Sequence, residues 1–316
     1  MKQIKQVLGT THHIPKIDEN GLPYTHHDFS AQIELTSQDF EKYLLASQAL
    51  ASFNRDMQLF KIILWNLKDY FDTIENYRIA FANRTIAYPD NKQPDLEINR
   101  RLINFLTSVT TYLTYSENLL SQKYGEQSSN FENFKQYTAH EFDNHFSYRF
   151  LYHLRNYAQH GGLPITELNF ISQPIDDNPL QQEHMVKVGI LRDKLFQGNF
   201  TWKATVRKEL QEGPHYIDIN THLITFANCL SSINSQLVQD EFSTLVEPAT
   251  YLHELTQRIE KIDGDINVFE LEVTTNEEGT VTKVIPTIIH RLDLELINAA
   301  MNQQLQEETT EFTYSH

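Results

Sequence analysis

The chain has 316 residues, of which 40% are hydrophobic and 11% aromatic, enough to build buried cores. This length exceeds that of most single domains, so we expect two domains. The formal net charge of −16 argues against a protein that coats nucleic acid, because such binding depends on neutralising phosphates. A nuclease with a small local basic site, or a protein with a basic partner, is compatible with this charge.

Glycine, proline and cysteine are all scarce. Only 10 glycines and 10 prolines indicate much helix and argue against disorder or an all-β fold. The single cysteine, Cys229, excludes a disulfide framework and a cysteine-rich metal site, and its apolar helical surroundings predict a buried, inert thiol. No signal peptide and no run of membrane-spanning length is recognisable, so we expect a cytoplasmic protein that does not enter the membrane.

Residues 1–35 are predicted to be a partly extended N-terminal segment with one short strand at 32–35. Two pairs of adjacent histidines in this segment suggest a metal site. Adjacent side chains point in different directions on a regular backbone, so we favour surface or inter-domain packing over metal binding. The pairs are His12–His13 and His26–His27.

Residues 36–164 have apolar side chains at helical spacing and predict an all-α bundle of four or five helices. The first helix begins at an N-cap formed by the segment from Thr36 to Asp39. A turn centred on residues 88–91 separates it from the second helix. The predicted helices cover residues 36–82, 94–124, 131–143 and 146–160.

After Leu163-Pro164 the pattern changes to a mixture of strand and helix signals. Residues 165–305 are predicted to form a smaller α+β domain, and residues 306–316 an acidic tail. The predicted fold class is therefore mainly α, a helical bundle followed by an α+β domain with a β-hairpin. The elements predicted are strands at 165–171 and 183–191, helices at 195–210, 218–237, 243–262 and 291–305, and a hairpin of 267–273 with 280–285.

The segment from His140 to His145, which includes Glu141, has some likeness to the zinc-binding helix of the zincins. That motif needs two histidines one helical turn apart, with a glutamate beside the metal. Here the two histidines are five residues apart, which turns one ring about 140° from the other. We therefore interpret the segment as a helical cap or a surface cluster. The sequence contains no glycine-rich phosphate loop and no nucleophile elbow.

The strongest candidate for chemistry is the end of the helix at 146–160, which Gly161-Gly162 and Pro164 terminate. Arg155, Asn156 and His160 lie in its last turns. A guanidinium can bind a phosphate through two hydrogen bonds and stabilise the charge of a transition state. An imidazole can transfer a proton near neutral pH, and an amide can orient either group. These residue types suit RNA cleavage by the ribose 2′-hydroxyl without a metal.

On an ideal helix Arg155 and His160 lie about 140° apart. They converge only if the helix loosens near its two glycines, or if two copies of the segment meet across a two-fold axis. The other residues of this helix divide into an inward and a largely polar side. We expect Phe150, Leu151, Leu154 and Ala158 to pack inward, and Tyr148, Tyr152, Arg155, Asn156 and Gln159 to form the polar side.

An arginine, a polar residue, three more residues and a histidine, late in a helical bundle, resemble the Arg-x(4–6)-His motif of the HEPN superfamily. The resemblance covers residues 36–164 and leaves the C-terminal half unexplained. It implies a HEPN-like bundle that dimerises to form one composite site, and a metal-independent endoribonuclease of a toxin–antitoxin, abortive-infection or phage-defence system. It also implies that Arg155 stabilises the transition state, His160 acts as acid or base, and Asn156 positions one of them.

We assign substrate binding to Tyr152, Gln159 and Arg149 on the same helix, and we expect no metal and no cofactor. The expected partners are RNA, a second copy of the chain, and an antitoxin or sensor protein. The alternative hypothesis is a non-catalytic HEPN-like interaction module whose acidic surface binds a protein partner, which the net charge of −16 supports. The hypotheses differ in whether two copies of the motif form a shared, positively charged cleft.

Overall fold

The computed structural model describes residues 2–86, 92–175, 178–260 and 264–302. Helices account for 59% and strands for 25% of the structure. None of the described helices is long and apolar enough to cross a membrane. In chain order the elements are β1 (Lys2–Ile17), β2 (Pro23–Glu34), α1 (Ser37–Ala82), α2 (Gln93–Tyr124), α3 (Ser129–Asn144), α4 (Phe146–His160), β3 (Glu167–Ile175), β4 (Asn178–Leu191), a 3₁₀ helix (Arg192–Phe196), α5 (Ala204–Glu212), β5 (Tyr216–Asp218), α6 (Ile219–Gln257), β6 (Asp265–Thr275), β7 (Val281–Arg291) and α7 (Leu294–Asn302).

The backbone divides into two compact units. Within the described residues, unit 1 combines the two ends of the chain, residues 2–55 with residues 239–302. Unit 2 consists of residues 56–238. Each unit therefore draws on residues from both sides of position 164, where the sequence pattern changes.

Unit 1 contains a four-stranded antiparallel sheet with the order β2-β1-β6-β7. β1 and β2 form a hairpin in which the carboxylate of Asp18 accepts hydrogen bonds from the backbone N–H groups of Asn20 and Leu22. On its other side β1 pairs with β6, so that Val7 lies opposite Phe269. The single short strand predicted in residues 1–35 was therefore wrong. This region forms two long strands.

The hairpin predicted near the C-terminus is confirmed as β6 and β7, which pair in antiparallel fashion. The side chain of Asn276 closes the turn between them by accepting hydrogen bonds from the backbone N–H groups of Glu278 and Thr280. The predicted helix at 291–305 corresponds to α7. Residues 306–316, predicted to be an acidic tail, lie outside the described residues, and so does the turn predicted at 88–91.

The four helices predicted in residues 36–164 are confirmed as α1 to α4. α1 begins where predicted, because the Thr36 hydroxyl accepts a hydrogen bond from the backbone N–H of Asp39 at 3.1 Å. At the start of α3, the Ser128 hydroxyl accepts one in the same way from the backbone N–H of Phe131.

Three helices predicted in the C-terminal half were wrong in extent. Residues 195–210 do not form one helix, because a 3₁₀ turn and α5 are separated by a loop whose Trp202 indole donates to the Leu195 carbonyl at 2.9 Å. The helices predicted at 218–237 and 243–262 are replaced by one helix, α6 (Ile219–Gln257), which continues through Pro248. Apolar residues on both sides of the proline, including Leu245 and Leu252, are buried.

Unit 2 has a hydrophobic core that helices and strands share. Buried residues of α2, α4 and α6 lie in one cluster with those of the three-stranded sheet β3-β4-β5. Members of this cluster include Leu102, Phe105, Phe150, Leu154, Phe226 and Leu230 from the helices, and Leu168, Val188, Ile190 and Ile217 from the strands.

The predicted fold class was wrong. The protein has an α+β fold and is not mainly α with a four- to five-helix bundle in front of a smaller α+β domain. Two features overturn the prediction: the long strands of residues 2–34, and the core that the predicted bundle helices share with a sheet. The sequence pattern of a helix records that one face is buried, but not whether helices or strands cover it.

Candidate functional site

The buried face of α4 holds this helix in the core of unit 2. Phe150, Leu151 and Leu154 are fully buried, as predicted. The rings of Phe150 and Tyr157 both stack on Trp202, with ring centroids 6.2 Å and 5.6 Å away. These contacts fix the rotation of α4 about its axis and therefore decide which side chains face solvent.

Tyr148 was predicted on the polar side of α4, and this was wrong. Its side chain is buried, with its ring edge-to-face against Phe226 at a centroid distance of 5.1 Å. Burial raises the pKa of Tyr148 well above its usual range, so the phenol stays protonated.

The remaining predicted site residues, Arg149 excepted, lie on one solvent-facing side of α4. Their positions recur at intervals of three and four residues, which places them along one helical face. Tyr152 is 38% exposed, Arg155 and Asn156 are half-buried, and Gln159 and His160 are exposed. We call these five residues the polar stripe.

The helix remains intact up to the end of the polar stripe. The backbone N–H of Gly161 donates to the Tyr157 carbonyl at 2.6 Å, which completes the last turn. A side chain at position 161 would come within 2.6 Å of the Tyr157 ring, so glycine is required for this ending. Because α4 does not loosen before His160, this residue and Arg155 stay on opposite edges of the stripe.

Arg155 is held by amide groups. Its Nη1 donates to Asn156 Oδ1 at 3.2 Å and to Gln159 Oε1 at 2.7 Å. Its Nε is buried and has no hydrogen-bond partner, and no carboxylate among the described residues pairs with the guanidinium. Other arginines do pair with carboxylates, among them Arg78, Arg100, Arg149 and Arg291. The positive charge of Arg155 is therefore not compensated by an acidic side chain, and two amides orient the group.

Arg149 has a different environment. It is 9% exposed, and its Nη2 and Nε donate to the carboxylate of Glu209 at 2.5 and 3.2 Å. Its Nη1 donates to the carbonyls of Phe142 and Asp143 at the end of α3. All three nitrogens of this guanidinium donate hydrogen bonds to other groups of the protein, which leaves no unpaired nitrogen for a substrate. We therefore leave Arg149 out of the proposed site.

His160 is the last residue of α4 and is exposed. His153, on the same helix, is buried instead, and burial together with the nearby Lys203 lowers its pKa. Of these two imidazoles, only that of His160 is open to a ligand.

One group of possible metal ligands was missed by the sequence reasoning. Glu141, His145 and Cys229 offer ligand atoms that all lie within 4.8 Å of one another, and the described residues contain no second such group. Cys229 is buried, as predicted, and its burial and the adjacent Glu141 raise the pKa of the thiol. The one-turn spacing of Glu141 and His145 could have indicated two of these ligands. We compared His140 and His145 instead, which are five residues apart.

The histidine pairs of unit 1 lie on the β1–β2 hairpin. His13 and His27 are direct cross-strand partners, with their Nδ1 atoms 2.8 Å apart. The other ring nitrogen of His13 lies 2.9 Å from a carboxylate oxygen of Asp265 on β6. The two rings therefore contact each other on an exposed sheet face, and His13 also contacts Asp265.

A cavity of about 660 Å³ also lies in unit 1. Asp265 and Arg291, which form an ion pair at 2.8 Å, are among its lining residues, with apolar neighbours such as Leu50, Leu252 and Ile266. None of the predicted site residues lines this cavity.

Comparison with protein-family models, with curated proteins and with solved structures found no match. The interpretation of the site therefore depends on its own geometry. The polar stripe combines an arginine that lacks an acidic partner, two amides, a tyrosine and an exposed imidazole. Such a set can bind a phosphate and transfer a proton.

Proposed function

We propose that the chain is a metal-independent endoribonuclease of HEPN type, acting in the cytoplasm as a toxin or phage-defence effector. The observation that carries this proposal is the environment of Arg155, whose guanidinium lies on a solvent-facing stripe and is oriented by amides. In a chain with a net charge of −16, an arginine without an acidic partner is suited to bind an anion. The likeness to HEPN proteins rests on the motif of residues 155–160 alone.

In the proposed reaction, Arg155 binds a non-bridging oxygen of the scissile phosphate through its Nη2 group. A neutral His160 imidazole accepts the proton of the ribose 2′-hydroxyl, whose oxygen attacks phosphorus. The 5′-oxygen leaves and takes a proton from a second, protonated His160. The products are a 2′,3′-cyclic phosphate and a 5′-hydroxyl. Asn156 and Gln159 hold the arginine, and Tyr152 stacks on a base.

The proposal requires two copies of the chain. Arg155 and His160 of one copy stay about 140° apart on an intact helix, so one copy cannot direct both at a single phosphate in this arrangement. Two polar stripes related by a two-fold axis would bring both arginines and both histidines into one cleft. An antitoxin or sensor protein that separates the copies would then switch the activity off.

The test is incubation of the purified chain with mixed RNA in EDTA, beside Arg155→Ala and His160→Ala. We expect the wild type to leave 2′,3′-cyclic phosphate ends, and each variant to lose about 10²-fold or more in rate. The matched controls are Arg207→Ala, an exposed arginine of the same unit, and His140→Gln, an exposed histidine. Equal cleavage by wild type and both site variants would refute the site, whereas loss in Arg207→Ala would indicate a general charge effect.

The net charge favours a second candidate function, a non-catalytic module that binds a basic protein through its acidic surface. On that account the purified chain leaves RNA intact, and replacing Arg155 changes no binding. The same set of variants therefore separates the two functions.

A further inference from the structure

Three side chains with metal-binding atoms converge where α3 meets α4. Glu141 and His145 lie one helical turn apart, and Oε2 of the first is 3.3 Å from Nε2 of the second. The sulfur of Cys229 on α6 completes the group, in which all ligand atoms lie within 4.8 Å of one another. Glu141 and Cys229 are 5% and 4% exposed, whereas the His145 side chain is 42% exposed. Solvent therefore reaches the group from the histidine side.

The local backbone brings these ligands together. Glu141 lies in the last turn of α3, and His145 follows that helix in an extended conformation, with φ −121° and ψ 112°. The backbone N–H of His145 still donates to the Glu141 carbonyl at 3.1 Å, which holds the two side chains on the same side of the turn. Cys229 is placed by the packing of α6 in the core of unit 2.

The charges of the group point to a cation. Glu141 is a buried carboxylate, and no lysine or arginine among the described residues pairs with it. Its neighbours are an imidazole and a thiol. A buried carboxylate is costly unless a positive charge compensates it. A divalent ion bound to one carboxylate, one thiolate and one neutral imidazole would give a group with no net charge.

We propose that Glu141, His145 and Cys229 bind one Zn²⁺ ion, with water as the fourth ligand. Zinc takes sulfur, nitrogen and oxygen ligands at about 2.0–2.3 Å, so neighbouring ligand atoms around it are separated by about 3.3–3.6 Å. The carboxylate and the imidazole already have this separation, and the sulfur needs a small side-chain movement. Magnesium and calcium prefer oxygen ligands only, which disfavours them here. On binding, the thiol proton is released to solvent and a Zn–S bond forms.

The zinc ion would join the corner between α3 and α4 to α6. The site is separate from the polar stripe, because α4 rises about 1.5 Å per residue and its 15 residues place His160 about 22 Å from its start. The inference therefore does not rest on the proposed ribonuclease activity.

The test is titration of the chelator-treated full chain with Co²⁺, a spectroscopic substitute for zinc. We expect one equivalent to bind with a thiolate-to-cobalt charge-transfer band, and Zn²⁺ to displace it. Cys229→Ser should remove the band, and His145→Gln should weaken binding at least tenfold. His140→Gln is the matched control, because this exposed histidine lies on the same helix outside the group, and it should bind as the wild type does.

Unfolding of each variant in urea without metal shows whether the substitution disturbs the fold. X-ray absorption of the zinc-loaded wild type provides a measurement that needs no variant, and we expect one sulfur and lighter atoms in the first shell. No cobalt band, a first shell without sulfur, or equal weakening by His140→Gln and His145→Gln would overturn the proposal. His145→Gln should also retain RNA cleavage if the chain is a ribonuclease, since the phosphate site lies elsewhere.

Discussion

Arg149 and Arg155 lie six residues apart on α4. We expect replacement of Arg149 to lower stability and replacement of Arg155 to abolish RNA cleavage. Arg149→Met keeps most of the aliphatic stem of the side chain and removes the guanidinium. The variant loses the paired hydrogen bonds to Glu209 and the hydrogen bonds to the carbonyls of Phe142 and Asp143. It therefore tests whether this arginine is structural.

The expected cost follows from these contacts. Removing one partner of a buried ion pair costs about 3–5 kcal/mol, because the other charge is left uncompensated. Here the Glu209 side chain is 28% exposed and can recover part of its hydration. The carbonyls released at the end of α3 add a smaller loss. We expect the free energy of unfolding to fall by about 2–4 kcal/mol in Arg149→Met.

Urea denaturation followed by circular dichroism measures this change, and Arg155→Met is the control. Arg155 donates only to two amides, so its replacement should change the free energy of unfolding by less than about 1 kcal/mol. The same control should lose RNA cleavage, which Arg149→Met should retain at temperatures where it is folded. If Arg149→Met unfolds at the wild-type urea concentration, or if both variants are equally destabilised, the structural role given to Arg149 is refuted.

Two further predictions concern unit 2. Asn99 is 1% exposed, and its side-chain amide accepts a hydrogen bond from the backbone N–H of Ile165 and donates one to the Ile165 carbonyl. Asn99→Ala should therefore lower the free energy of unfolding, measured by urea denaturation, by about 2–4 kcal/mol. An unchanged urea midpoint would contradict this. Burial lowers the pKa of His222 below its unfolded value of about 6.5, so the unfolded chain binds more protons. Stability should therefore fall as the pH drops below about 6.5. In thermal melts from pH 8 to 5, the melting temperature of His222→Asn should fall less steeply with pH than that of the wild type. The same dependence of melting temperature on pH in both proteins would exclude His222 as the cause.

The sequence predicted the elements whose signals are local. The start of α1 follows from the cap at Thr36, and the end of α4 follows from Gly161, which the Tyr157 ring requires. Each depends on residues within a few positions of one another, which a sequence reader can compare directly. The hairpin of β6 and β7 is of the same kind.

The errors come from contacts between distant parts of the chain. β1 is stabilised by pairing with β6, more than 250 residues later, and neither strand indicates its partner in its own sequence. We predicted a partly extended N-terminal segment with one short strand, but β1 and β2 form two of the four strands of this sheet. The proposed metal ligands illustrate the same limit, because Glu141 and His145 are close in sequence but Cys229 is not. A reader of the sequence has no reason to join the three.

The requirement for two copies is the part of the functional proposal that can fail most clearly. Arg155→Ala and His160→Ala are each expected to be inactive, but a mixed dimer still contains one intact arginine and one intact histidine. If these groups act on the same phosphate from different copies, mixing the two inactive variants should restore part of the cleavage, because one of the two histidines that transfer protons is still present. Each variant mixed with itself is the control. A mixture that stays inactive, although mixed dimers form as judged by a tag on one variant, would show that the polar stripe does not work as a shared site.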